Sequence, residues 1–231
     1  AEIQASGINT VSLANEDDTA DDDITTAAET IVMGSGSQIL NLGAAGAGNQ
    51  SHLGGTLTVT DTGTGTTDSI TINNKAVNST TGNNVDIFTA TGGDVALTST
   101  GYENVTFDTG SGSTNVEQGL TSLTITPDST SANVSLTVTG NNALDIATSL
   151  TTTSTGTLTV DASGMKAQAT GTTTFDINST SQGSGGTATI TGSAGDDIIV
   201  TGNFASTING GSGNDVLTGG TAADTINGGA G

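Results

Sequence analysis

Gly192-Ser-Ala-Gly-Asp-Asp-Ile-Ile-Val200 and, eighteen residues later, Gly210-Gly-Ser-Gly-Asn-Asp-Val-Leu-Thr218 are the stretches that decide how this chain folds. A degenerate copy, Thr201 to Asn209, lies between them. After them come Gly219-Gly-Thr-Ala-Ala-Asp-Thr-Ile-Asn227 and the unfinished Gly228-Gly-Ala-Gly231. The period is nine and the form is G-G-x-G-x-D-x-U-x, with U apolar. Glycines at the first, second and fourth positions let the backbone turn with positive φ and direct carbonyl oxygens inward. Asp197, Asp215 and Asp224, at the sixth position, add hard anionic oxygens. Ile199, Ile208, Leu217 and Ile226 recur at the eighth position. Stacked repeats therefore place one apolar side chain from each short strand in a shared core, at roughly 1.5–3 kcal/mol per buried side chain.

A coil made of two such repeats brings alternate repeats to the same side. Asp197 and Asp215 then share one side with main-chain oxygens of Ser193, Gly195, Gly211 and Gly213. That is about the six oxygens that Ca²⁺ accepts at about 2.3–2.6 Å. On the other side Asp224 faces the degenerate repeat, where Ser206 holds the aspartate position and Phe204 a glycine position, so this second site is expected to be weak until later repeats complete it. Asp196, at the variable fifth position, is a weaker candidate that adds negative potential. Unbound carboxylates repel, and glycines enrich the disordered state, so folding of residues 192–231 is expected to couple to calcium. Magnesium, which demands a tight octahedron, is expected to substitute poorly.

The 231 residues carry a net charge of -21, with Lys75 and Lys166 as the only cations. Internal neutralisation is out of reach, so the counter-charge is expected to be metal. Nucleic acid is excluded as a partner because binding it needs a basic surface, and an anionic membrane would repel the chain unless divalent ions bridged the two. With no cysteine, no tryptophan, four phenylalanines and one tyrosine, a thick aromatic core is not expected. A thin repetitive core of Thr, Val, Ile and Leu fits instead, with rigidity from ladders and ions in place of disulfides. No apolar run is long enough to span a bilayer, so no direct membrane insertion is expected, and there is no secretory h-region. The break at Gly231, in mid-repeat, reads as that of a piece of a longer protein.

Three regions follow from the texture of the chain. Residues 1–30 form an acidic segment or linker in which Asn15 to Asp23 holds six carboxylates in nine residues. This is first a solvated loop, with Asp17, Asp18, Asp21, Asp22 and Asp23 as weaker metal candidates. Asp17 to Val32 could also hold one short helix. Residues 31–190 are a Thr/Gly-rich β region of short alternating segments with the strand period of two. These are Thr56–Thr60, Ser69–Asn73, Val85–Phe88, Val95–Thr98, Val105–Phe107, Leu123–Thr126, Val134–Thr139, Leu158–Val160, Phe175–Asn178 and Ala188–Thr191. Residues 191–231 are the nonapeptide roll. Gly63-Thr-Gly-Thr-Thr-Asp68-Ser-Ile70 keeps the interval from glycines to aspartate to apolar residue, which makes Asp68 a weaker metal candidate. Gly82–Asp86 and Gly92–Asp94 read as plain turns, and Pro127 marks a turn between strands.

The expected fold is all-β: a right-handed parallel β-solenoid ending in a calcium-binding β-roll. The alternative is a set of β-sandwich modules followed by a β-roll. At 18–20 residues and 4.8 Å per coil, about 180 residues would make a rod about 45 Å long. Catalysis finds little support. His52, the single histidine, reads as an exposed loop residue without companions for a zinc site or a triad, and neither G-x-S-x-G nor H-E-x-x-H occurs. Glycoside hydrolysis by paired carboxylates normally binds sugar on aromatic side chains, which are few here.

With Gly210 to Asn227 in view, the C-terminal segment resembles the repeats-in-toxin family. That resemblance implies a right-handed parallel β-roll with calcium in its turns and export by type I secretion. Thr100-Gly-Tyr-Glu-Asn-Val-Thr-Phe107, Gly119-Leu-Thr-Ser-Leu-Thr-Ile125 and the Cys-free, Arg-poor, Thr-rich texture are similar to the calcium-dependent surface-layer proteins of Gram-negative bacteria, of the Caulobacter and Campylobacter kind. This implies a non-enzymatic segment of a secreted, self-assembling layer on the cell surface, with copies of itself in a lattice and cell-surface polysaccharide as partners. Two other readings stand beside it. One is a large repetitive adhesin that binds a surface or carbohydrate ligand. The other is the calcium-dependent C-terminal domain of a secreted protease or lipase. The chain departs from the nonapeptide pattern at Thr201–Asn209 and at Ala222.

Overall fold

The computed structural model describes residues 2–13, 23–25, 28–43, 45–46, 52–53, 55–75, 77–78, 89–90, 93–111, 117–169, 172–178 and 180–231. Alternating segments rich in Thr, Val, Ile and Leu become strands because branched side chains suit a pleated surface with one buried face. They stack into two parallel sheets. The first runs Glu2–Gln4, Glu29–Met33, Leu57–Asp61, Gly93–Thr100, Gln118–Thr126, Leu144–Thr152, Thr173–Ile177, Asp196–Val200 and Val216–Thr218. The second runs Thr10–Leu13, Ser37–Leu42, Ser69–Asn74, Asn104–Asp108, Val134–Gly140, Thr157–Met165, Thr187–Thr191, Ala205–Ser212 and Thr225–Ala230. Each coil gives one strand to each sheet, so the described residues wind through nine coils as a β-solenoid. Parallel pairing along both paths rules out the sandwich alternative. At about 4.8 Å per step the stack is about 40 Å long.

Coil length is where expectation and structure part. The interval of eighteen holds only in the last coils, as in Ile199↔Leu217 and Ile208↔Ile226. Upstream the interval is longer: Leu97 pairs with Leu123, and Leu57 with Leu97, forty positions on. Among the described residues the extra length carries short strands of its own: Asp23–Thr25 pairs with His52–Leu53 and Ala45–Gly46 with Val77–Asn78 in two further two-stranded sheets, and Thr89–Ala90 pairs antiparallel with Gly93–Thr100. Residues 2–13, assigned by sequence to an acidic segment, form the first coil. Within Asp17 to Val32, the expected place of a short helix, the described residues are instead in strands, Asp23–Thr25 and Glu29–Met33, apart from Ala28 between them. His52 sits in a strand, His52–Leu53, paired with Asp23–Thr25, and not in a loop. Asp94, expected in a turn, belongs to the strand Gly93–Thr100. Val85–Phe88, Gly82–Asp86 and Gly92 lie outside the described residues. Among the described residues no helix is long and apolar enough to cross a membrane.

The core is a file of side chains between the sheets, two or three per strand. Leu57 and Val59, Leu123 and Ile125, Leu136 and Val138, and Ile190, Ile199 and Ile208 are buried. Tyr102, Phe107 and Phe175 are the largest fully buried side chains. Outward positions carry polar ladders from coil to coil: Asn73 Nδ2 donates to Asn41 Oδ1 at 2.9 Å, Ser69 Oγ to Ser37 Oγ at 3.1 Å, and Ser135 Oγ to Asn104 Oδ1 at 2.9 Å. At the last coil the core thins, with inward Leu217 only partly buried and inward Ile226 48% exposed.

Candidate metal centre

The nonapeptide turns stack on both sides of the roll. On one side lie Gly192–Asp197, Gly210–Asp215 and Gly228–Gly231. On the other lie Thr201–Ser206 and Gly219–Asp224. Gly211 and Gly213 have φ of +116° and +125°, the left-handed region that glycine enters without a steric penalty. A Cβ at either would overlap the carbonyl oxygen of Ser193 or Gly195 in the turn above. The backbones can therefore stack only because both positions lack a side chain.

This close stacking aims oxygens into the gap between turns. The Ser193 and Gly195 carbonyls face Gly211 and Gly213, and the Gly210 carbonyl faces back toward Gly192. The Gly211 and Gly213 carbonyls face onward to Gly229 and Gly231. The four main-chain oxygens that sequence reasoning put in one site are thus divided between two successive gaps. Gly210, which sequence reasoning missed, contributes to the first. The reason is the polarity of a parallel stack, in which carbonyls of neighbouring turns at matching positions point the same way.

The aspartates follow the same polarity, each reaching the backbone of the coil before it. Asp197 Oδ1 accepts the Phe175 N–H at 3.1 Å, Asp215 Oδ1 the Asp197 N–H at 3.1 Å, and Asp224 Oδ1 the Ser206 N–H at 3.0 Å. The expected partnerships of Asp197 with Asp215 and of Asp224 with Ser206 are therefore present. Their oxygens are not equally free. Asp197 is buried, and it also accepts the Ser193 N–H and Oγ–H, each at 2.6 Å. Asp215 keeps Oδ2 buried and without a donor. Ser206 Oγ donates to Asp224 at 2.6 Å. Asp196 accepts from Asn214 N at 2.8 Å, outside the gap.

Burial pushes the Asp197 carboxyl up to about 6, against the lowering bonds from Ser193 and Phe175 and with Asp215 adding to the rise. Burial also raises Asp215, against the Asp197 N–H and helped by Asp196. Crowded carboxylates beside inward carbonyls, with an orphaned Asp215 oxygen among them, suit a hard divalent cation. Ser193 O, Gly195 O, Gly210 O and Asp215 would hold the ion in the first gap, while Gly211 O and Gly213 O serve the next.

The other sequence candidates lie elsewhere. Asp68 is far up the stack, beside Asp61 and Asp128. Asp17, Asp18, Asp21 and Asp22 lie outside the described residues, and only the backbone of Asp23 is described. The acidic pair Asp145 and Asp176, in register on adjacent coils, was missed. Burial raises both carboxyls, Asp176 to about 6, with Asp94 adding at Asp145 and with Asp145 and Glu117 adding at Asp176.

The family model of the RTX calcium-binding nonapeptide repeat, in four copies, matches residues 182–203 and 200–231. No curated protein and no solved structure matches the chain. The match begins ten residues before Gly192. Gly183-Ser-Gly-Gly-Thr-Ala-Thr-Ile-Thr191 is a further degenerate repeat, with Gly183, Gly186 and Ile190 in place and Ala188 at the aspartate position. Ala188 pairs in register with Ser206, so the side bearing Asp224 gains its carboxylate only in the last coil. Proteins with such repeats are typically secreted. Residues 182–231 are RTX calcium-binding nonapeptide repeats, folded as a parallel β-roll at the end of a longer solenoid, and their cofactor is calcium.

Proposed function

We propose that the chain is a structural, non-enzymatic segment of a secreted, self-assembling surface layer, in which calcium stiffens the C-terminal roll and bridges acidic faces of neighbouring copies or of cell-surface polysaccharide. The observation that supports this is the continuity of the stack. Both sheets run from Glu2–Gln4 and Thr10–Leu13 to the last coil, so one core and one set of polar ladders carry load along the whole length. A net charge of -21 keeps copies apart until a divalent ion joins them.

The outward rank Thr30, Thr58, Thr98, Thr124 and Thr151, in register across five coils, favours a second reading. It is an adhesin whose regular polar face meets a surface or carbohydrate. Electron microscopy of the full-length protein with calcium and with chelator separates the two. A two-dimensional lattice that forms only with calcium is the expected result. Calcium-stabilised particles that stay monomeric would favour the adhesin.

A further inference from the structure

Asp61 and Asp68 flank the turn of the third coil and Asp128 lies in that of the fifth. The winding brings one oxygen of each to within 4.8 Å of the other two. Asp61 is 8% and Asp68 6% exposed, and each has only one oxygen satisfied. Asp61 Oδ1 accepts the Gly63 N–H at 2.8 Å and Asp68 Oδ1 the Gly36 N–H at 2.5 Å. Oδ2 of both is shut away from solvent without a donor. Two buried acceptors that face a third carboxylate are unstable as anions unless something positive lies between them.

The surroundings hold these groups in place. Glu103, 1% exposed, accepts the Asp68 N–H through Oε2 and the Asp128 N–H through Oε1, both at 3.0 Å, and so ties the two acidic turns to one buried carboxylate. Gly101, with φ of +85°, carries the fourth coil past them. A Cβ there would lie 2.7 Å from Asp61 Cβ and 3.2 Å from Asp128 Oδ1. Burial holds the Asp61 carboxyl above its usual range against the Gly63 N–H, and Asp68 and Asp128 push it further. The sequence offers two lysines against twenty-three acids.

We propose that Asp61, Asp68 and Asp128 form a calcium site of their own, outside the nonapeptide repeats, that pins the third, fourth and fifth coils together. Ligands drawn from separate turns suit the irregular oxygen shell of calcium better than the tight octahedron of magnesium. The competing source of neutrality is a proton shared by Asp61 and Asp68.

Tyr102 makes the site separately observable. It is the single tyrosine, in a chain without tryptophan. It is buried, its hydroxyl donates to Gly34 O at 3.2 Å, and burial raises its pKa with Asp61 and Asp68 adding to the rise. The full 231-residue chain, stripped with chelator and titrated with terbium under tyrosine excitation, should show sensitised terbium emission that calcium displaces. Asp128 is exposed, so Asp128→Asn should fold and should raise the half-saturating terbium concentration roughly tenfold or more. Asp215→Asn, in the roll, should leave this signal unchanged. Absent emission, or emission equal in Asp128→Asn and the parent chain, or emission lost in Asp215→Asn, would overturn the proposal. Absent emission together with a higher melting temperature of Asp68→Asn in chelator would assign the pair to a shared proton instead.

Discussion

The main-chain N–H of Asp197 donates to Oδ1 of Asp215 at 3.1 Å, across eighteen residues and one coil. The carboxylate that closes one repeat is thereby locked to the backbone two repeats earlier, while its Oδ2 stays buried without a donor. The hydrogen bond fixes where the charge sits, and the free oxygen marks where a cation is needed.

Asp215→Asn keeps an acceptor for the Asp197 N–H and removes the charge. Calcium at a hundredfold over its Kd stabilises a one-site protein by about 2.7 kcal/mol. The variant should lose most of that gain in thermal melts with calcium, yet melt no lower than the parent chain in chelator. Asp224→Asn, on the side where Ser206 and Ala188 replace the other carboxylates, should lose less.

Without calcium, the pH dependence should run opposite to that of a salt-bridged carboxylate. Asp197 and Asp176 are held at about 6 in the fold, against about 3.9 in the unfolded chain. Between those values the native state binds more protons than the unfolded state, so stability is greatest at about pH 4 and falls as the pH rises to about 6. For Asp197 the loss is roughly a few kcal/mol. A calcium ion held by Asp215 beside Asp197 replaces like-charge repulsion with attraction and favours the ionised carboxylate, so the Asp197 share of this loss should shrink. Denaturant melts at pH 4.5 and 7 in chelator and in calcium would check both signs.

Gly211→Ala and Gly185→Ala separate backbone strain from collision. Both glycines have positive φ, but a Cβ at Gly185 meets nothing within 4 Å, whereas one at Gly211 overlaps Ser193 O. Gly185→Ala should cost about 1–2 kcal/mol. Gly211→Ala should cost roughly 3 kcal/mol or more and lower calcium affinity, because the turn carbonyls must part.

The core should weaken toward the last coil. Leu123→Ala, in the middle of the stack, should cost about 2–5 kcal/mol. Ile226→Ala, where the side chain is 48% exposed, should cost less than about 1 kcal/mol, as read from denaturant midpoints.

The partnership of Asp197 with Asp215 could be read from sequence because two nonapeptides make one coil of fixed length, so a spacing of eighteen is a contact. No such rule links Asp61 and Asp68 to Asp128, since the coils between them have turns of unequal length and the Gly63–Ile70 pattern marks Asp68 alone. The strand Leu144–Thr152 escaped notice for a different reason. Ala147 and Thr148 are both exposed where its register shifts, so the alternation changes phase in mid-strand. The repeat Gly183–Thr191 was hidden by Ala188, although Gly183, Gly186 and Ile190 kept the spacing. Period-two runs such as Val134–Gly140 were plain because inward Val and Leu alternate with outward Ser and Thr without interruption.

Hydrogen exchange of the full chain, compared with calcium and with chelator, tests the central claim most directly. The account predicts that amides of residues 192–231, including the Asp197 N–H bound to Asp215 and the Gly213 N–H bound to Ala230 O, gain strong protection with calcium and exchange quickly in chelator. Equal protection of this segment in the two conditions would contradict it.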